Sequence, residues 1–414
     1  MVFKSVFLAM WRLGFFFHEI AFGLLSVFIP LYVVTFKDTS VLGGPLVALG
    51  VMMSLSLFCA IPGSFLWGYL CDATRRYKAF ILLSFLSSAA LLFLMTLPFS
   101  QNIILFLGLY VVMQFLHVSH EAPKNVLIAE HYSRDQWEKS FGFYEGITEI
   151  GFIIGLAIGM VAFASNFGAV DILYVCSGLS VVAFVLSLLL VADPLMIFER
   201  RLVGIERRVD FTYRGLESSS RLMDGLGWDG SLKQDSFLGF ALAIVMFSLA
   251  TSLFFTPLPV YLKEIFGGQT SMVYGAYIFN SLGATVGYFL ISRRARSMDI
   301  RKQMPRFVFS RSMLIFFLIG VVQFAFLPNI MTVIVLVLLG FVYGMYYIMM
   351  ISISMELIPE GKSGIFDGLV GLGSAAGSFL GPFLVQVFLP NYIPTFLVAA
   401  VVFFAAFVAL KRFS

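Results

Sequence analysis

Charge is what this chain has least of. Only 12% of its 414 residues are Asp, Glu, Lys or Arg, about half the share carried by an ordinary soluble domain. Cysteine is nearly absent: Cys59, Cys71 and Cys176 stand far apart with no CxxC pair, which excludes a disulfide framework and a thiolate metal site. No Asn-x-Ser/Thr acceptor occurs, and no glycine-rich phosphate loop, so ATP is excluded as an energy source. No nucleophile–base pair or metal-ligand set recurs at helix spacing, which argues against an enzyme, a metal or a cofactor. What abounds is apolar surface: 60% hydrophobic residues, 48 of them Phe, and a mean hydropathy of +0.96. A water-soluble fold of this size could not hide that much. The expectation is an all-α integral membrane protein whose main partner is the lipid bilayer. The basic pI of 8.9 needs no nucleic acid.

A spanning helix takes about 20 mostly apolar residues. Twelve segments qualify, at roughly 12–36, 43–70, 79–99, 102–124, 141–165, 170–192, 237–262, 270–292, 307–327, 330–355, 364–389 and 392–410. The start, Met1-Val2-Phe3-Lys4, runs into the first without a small-residue cleavage site, as expected of a retained helix. Residues 193–236 form the one long connection. Glu199-Arg200-Arg201 and Glu206-Arg207-Arg208 among its apolar residues suit an amphipathic helix on the inner surface. The expected domains are therefore an N-terminal six-helix bundle (1–192), this linker, and a C-terminal six-helix bundle (237–414). With the N-terminus inside, all but Lys37 and Lys263 of the 27 Lys and Arg residues fall at or near the inner face. The main contributors are Arg75, Arg76, Lys78, the Arg200–Lys233 linker and the run from Arg293 to Arg311. The positive-inside rule then makes both termini cytoplasmic.

The halves repeat one another. Ile29-Pro30-Leu31-Tyr32 of helix one answers Leu258-Pro259-Val260-Tyr261 of helix seven. In helix five, Gly142, Glu145, Gly146, Gly151, Gly155 and Gly159 answer Gly364, Asp367, Gly368, Gly373, Gly377 and Gly381 of helix eleven. Glu130 of helix four answers Glu356 of helix ten. Agreement along equivalent helices points to a parallel duplication. Between helices two and three lies a short charged island, Gly68-Tyr69-Leu70-Cys71-Asp72-Ala73-Thr74-Arg75-Arg76-Tyr77-Lys78. Its Gly68, Asp72 and Arg76 resemble the Gly-x-x-x-Asp-x-x-x-Arg loop signature of the major facilitator superfamily (MFS). Arg75 stands where a second glycine is usual, and Ala73 where a basic residue is common. The C-terminal half lacks the signature, since Gly287 is followed by Ile291 and Ala295.

The resemblance implies a secondary transporter of two pseudo-symmetric bundles in the plasma membrane. It also implies an inner gate at the island, with Asp72 facing the start of helix eleven and Arg76 reaching Glu130, near Arg134. A solvated turn that merely fixes topology is the alternative. Glu145, Glu356 and Asp367 join this gate as acids shared between the halves. Gly142, Gly151, Gly155 and Gly159 resemble the fifth-helix pattern of antiporters in the superfamily, although Leu156 replaces its proline and Met160 its last glycine. Close helix packing through small residues accounts for the same spacing and is the stronger reading.

The duplication is most informative where it fails. His18 and Glu19 of helix one stand opposite Phe247 and Ser248. His117, His120, Glu121 and Lys124 of helix four stand opposite Tyr343, Tyr346, Tyr347 and Met350, and Glu149 stands opposite Gly371. Ionisable groups in a bilayer are costly and functional by default. A desolvated carboxylate holds its proton more tightly, and a nearby cation releases it. Glu19 and Glu149 are thus the expected proton carriers, His18, His117, His120 and Lys124 their tuners, and Glu121 belongs to either role. Three plainer readings compete: a Glu121–Lys124 salt bridge, a His117 satisfied by a carbonyl, and an Arg12 that snorkels to the interface. On the other half, Thr251, Ser252, Asn280, Tyr343, Tyr346 and Tyr347 offer neutral and aromatic groups suited to a mostly apolar organic solute. The expected protein is a monomer without nucleic acid, exchanging a small solute for protons, with efflux by antiport slightly ahead of proton-coupled uptake. An uncoupled uniporter and a non-transporting sensor or assembly subunit with the same fold are the rivals.

Overall fold

The structure, a computed structural model, describes residues 10–131, 137–193, 237–294, 300–324, 328–357 and 364–413. Among these, eleven helices are long and apolar enough to cross a membrane. Thr270–Arg294 is as long at 25 residues, but its Ser, Thr, Asn and Gly residues and terminal arginines dilute it. The helices are one (Arg12–Val33), two (Pro45–Thr74), three (Tyr77–Leu94), four (Ile103–His117 with Glu121–His131), five (Trp137–Ala164) and six (Ala169–Leu190). Then come seven (Phe237–Phe255 with Leu258–Ile265), eight (Thr270–Arg294), nine (Ile300–Phe324), ten (Pro328–Leu357), eleven (Gly364–Phe388) and twelve (Ile393–Phe413). The expected linker, from residue 194 on, lies outside the described residues.

Three elements differ from the sequence expectation. Helix nine starts at Ile300, seven residues before its apolar run, because Arg301, Lys302 and Gln303 are good helix formers. Helix seven breaks after Phe255, where Pro257 has no N–H to continue the ladder and Pro259 follows it. Helix four is interrupted by a 3₁₀ turn at Val118–His120, a tightening that often marks functional positions.

The packing repeats. Helix one lies on five and six, and seven lies on eleven and twelve; three meets four and six as nine meets ten and twelve. The halves touch along helix five on eight and helix two on eleven. Leu189 and Phe324, exposed by 70% and 84%, belong to an apolar outer surface that suits lipid.

Glycine sets the closest approaches. A Cβ on Gly155 would sit 2.0 Å from the carbonyl oxygen of Ile20, and one on Gly377 2.1 Å from that of Leu249. Backbone meets backbone there, so nothing can rotate aside. Gly151 approaches Phe16, and Gly373 and Gly381 approach Val245 and Leu253 in the same way. Gly159 differs: it receives the ring of Tyr274, whose hydroxyl donates to the Leu24 carbonyl at 2.9 Å. At the charged island, Arg75 caps helix two with φ 55°, its N–H donating to the Cys71 carbonyl at 2.7 Å. This left-handed conformation explains why glycine is usual there, and Arg75 bears the cost of a Cβ in it.

Adding one methyl group tests the contacts. Gly155→Ala and Gly377→Ala are each expected to cost upward of about 2 kcal/mol. Gly178→Ala, where a Cβ would meet nothing within 4 Å, should change stability by about 1 kcal/mol or less. Unfolding in mixed micelles reads both; equal losses at all three positions would contradict the role given to backbone contact.

Candidate functional site

Helices one, three and four build a nest of imidazoles. His18 is fully buried; its Nε2 lies 3.1 Å from Nδ1 of His117, and the two rings stack with centroids 5.0 Å apart. His120 Nδ1 lies 2.6 Å from the His117 carbonyl and 3.0 Å from Ser84 Oγ. The expected partner of His117, a carbonyl, thus belongs to His120, because the 3₁₀ turn folds that ring back over the preceding turn. Phe15, Phe22 and Phe85 enclose the cluster. The three imidazoles each offer a nitrogen within 4.8 Å of the others, the reach a tri-histidine metal site needs. One hydrogen bond, His18 to His117, already joins two of the rings.

Glu121 opens the lower segment of helix four. It lies 3.4 Å from His120 Nε2 and forms an ion pair with Lys124, the plainer of the readings set against a coupling role. Glu19 is within electrostatic reach of Glu145, Lys124, Glu121 and Glu149. Asp367 of helix eleven faces Glu121 and Lys124 in turn. Lys124 therefore stands among acids drawn from both halves. Glu145 sits with this central group, beside the wall of Tyr343 and Tyr347.

Glu149 stands apart from the Lys124 pair. It lines a cavity of about 220 Å³ together with Phe152, Thr251, Phe255, Tyr277, Asn280, Ser281, Ala284, Arg311, Leu339, Gly340 and Tyr343. Of the expected solute wall, Thr251, Asn280 and Tyr343 face this cavity, whereas Ser252, Tyr346 and Tyr347 are not among its lining. Asn280 is held by a 2.7 Å bond to the Leu336 carbonyl, and Thr251 by one of 2.9 Å to that of Phe247. Tyr346 is fully buried behind it, stacked on Phe247 at 3.7 Å.

Of the expected gate residues, the structure describes only some. Arg76 is exposed at the start of helix three. The side chains of Asp72, Glu130 and Glu356, and all of Arg134, lie outside the described residues. A Cβ on Gly68 would meet nothing within 4 Å, whereas one on Gly368 would lie 3.3 Å from the ring of Phe65, one turn before Gly68. Arg12 is buried, with its guanidinium 5.6 Å from the rings of Trp11 and Phe143.

Sequence reasoning missed Arg311. Placed by sequence in the basic belt of the inner face, it is 1% exposed and lines the cavity. It holds on helix nine the place of Phe85 on helix three. Phe85 packs on His18 and His120; Arg311 packs on Phe247 and Tyr343. The offset relating His120 to Tyr346 also relates Phe85 to Arg311, and that was the available signal. The unshared charges are therefore not confined to the first half.

A family model described as Major Facilitator Superfamily matches residues 12–382, and the chain belongs to that superfamily. It is thus a multi-pass membrane protein of a transporter superfamily. It is 33% identical over 182 residues to the multidrug resistance protein MdtG of Serratia proteamaculans (strain 568), a match spanning 44% of this chain and 43% of that relative. Its fold is similar to that of a mutant of the nucleoside transporter NupG, with a TM-score of 0.69 and 13% identity over 98% of this chain and 99% of that one. It is also similar to the xylose transporter XylE from E. coli in a partially occluded inward-open conformation, with a TM-score of 0.68 and 11% identity over 99% and 97%.

The Glu121–Lys124 pair can be weighed by a double-mutant cycle. Lys124→Met should destabilise more than Lys124→Met combined with Glu121→Gln, with a coupling of about 1–3 kcal/mol in unfolding free energy. Additive losses would show that the two charges are independent.

Proposed function

We propose that the protein is a proton-coupled secondary transporter working by alternating access, with the proton carried on Glu149 and Glu19. One observation supports this most: Glu149, an acid with no counterpart in the second half, lines the same cavity as Thr251, Asn280 and Tyr343. A proton and a solute that share one space sense each other directly. The halves 1–192 and 237–414 rock about the contacts of helices five on eight and two on eleven, with both termini in the cytoplasm. Asp72, Arg76 and Glu130 act as the breakable inner contacts that such rocking needs. His18, His117, His120 and Lys124 tune the acids. The protein acts as a monomer.

The preferred direction is efflux by antiport of a small amphiphilic solute. The similarity to a multidrug resistance protein over part of the chain favours it, as does a cavity that mixes Phe152, Phe255 and Leu339 with a few polar groups. Co-transport is the second reading. It is favoured by Arg311 on the same cavity as Glu149, since an anion held by the arginine and a proton held by the acid stabilise one another.

Proteoliposomes with a trapped pH dye separate these readings. A solute gradient from a broad compound panel should drive protons the opposite way for antiport and the same way for co-transport. Glu149→Gln should abolish proton movement while leaving solute binding within about threefold, and Glu19→Gln should reduce it. Labelled solute crossing the wild-type protein with no proton movement would sink the coupling.

A further inference from the structure

We propose that Arg311 is the anchor of the solute site and that it selects an organic monoanion, a carboxylate on a flat apolar body. The inference deepens the transporter reading above and rests on its cavity.

Arg311 enters the bundle from helix nine and is 1% exposed. Among the described residues no carboxylate pairs with it, and its Nε and Nη1 have no hydrogen-bond partner. A buried cation with unmatched donors is among the costliest groups a fold can hold. Part of that cost is offset by four rings. Phe247, Phe255, Tyr343 and Phe403 lie 5.0–5.4 Å from the guanidinium carbon, within the range of cation–π attraction. A ring face accepts a positive charge, but it does not replace the oxygen acceptors that guanidinium N–H groups need. Structure alone does not call for an arginine here, because Phe85 fills the equivalent place in the first half with a plain aromatic ring.

The cavity supplies the missing direction. Arg311 lines it, so an oxygen brought in by the solute is the acceptor at hand. A carboxylate fits the planar fork of guanidinium better than any neutral group. A single arginine suits one negative charge, not two. The body of the ligand would lie against Phe152, Phe255 and Leu339, with Thr251 and Tyr343 available to a second polar group.

The test uses the purified full chain in detergent and three probes of one shape: 1-naphthoate, neutral 1-naphthamide and cationic 1-naphthylmethylammonium. Equilibrium binding of labelled probe and the shift in thermal unfolding are measured together. Naphthoate should bind on the order of 10- to 100-fold more tightly than the amide, and the ammonium least. Arg311→Gln should erase that preference, and Arg311→Lys should keep part of it. Should Arg311→Gln not fold, phenylglyoxal modification of the wild-type Arg311 peptide, read by mass spectrometry, takes its place; naphthoate but not the amide should slow it. Equal binding of the three probes, no binding of any, a preference that survives Arg311→Gln, or no protection of Arg311 would each overturn the proposal. Naphthoate binding in a protein that moves no protons would sink the coupling and keep the anion site. Proton movement driven by neutral or cationic solutes, without naphthoate preference, would do the reverse.

Discussion

Everything in this structure depends on how closely helix backbones approach in lipid. Apolar side chains gain nothing by leaving a hydrocarbon solvent for one another, so association rests on close packing and hydrogen bonds. Gly151 and Gly155 on helix five, and Gly373 and Gly377 on helix eleven, bring those backbones against helices one and seven. These contacts set where the next side chains on each helix fall. Glu149, two residues before Gly151, owes its place at the cavity to that seating. Thr251 likewise follows the helix-seven turn that receives Gly373 and Gly377.

On this common scaffold the halves differ in chemistry at equivalent places. In the first half a phenylalanine, Phe85, is surrounded by imidazoles. In the second an arginine, Arg311, is surrounded by aromatic rings. One nest is built of imidazoles, the other around a guanidinium. The acids of the centre, Glu19, Glu145 and Asp367, gather around Lys124 between the two. A duplicated fold with its two nests made opposite in this way has the parts for coupling one movement to another.

The apolar runs, the repeat and the island at Asp72–Arg76 were legible in the sequence because each is a local pattern of residue type and spacing. Repeat arithmetic also singled out Glu19, Glu121 and Glu149, since it exposes a charge that its twin lacks. Arg311 was hidden by an end effect. A helix starting near residue 307 puts it one turn from the inner face. The observed start at Ile300 puts it eleven residues in, about 16 Å along the axis. The 3₁₀ turn at Val118–His120 was also invisible, because imidazole spacing alone does not report a change in winding. Tyr343 faces the cavity while Tyr346 does not, a distinction set by the rotation of helix ten against its neighbours.

Coupling through a shared space stands on one spatial claim, that the acid of helix five and the neutral wall of helix seven face a single cavity. Glu149→Cys with Thr251→Cys, after replacement of Cys59, Cys71 and Cys176, tests it by cross-linking with a bis-methanethiosulfonate short enough for a cavity of about 220 Å³. Efficient cross-linking of this pair is expected, comparable to Gly142→Cys with Ser292→Cys, where a Cβ on Gly142 would lie 2.9 Å from that of Ser292. Cross-linking of the second pair with none in the first would contradict the claim.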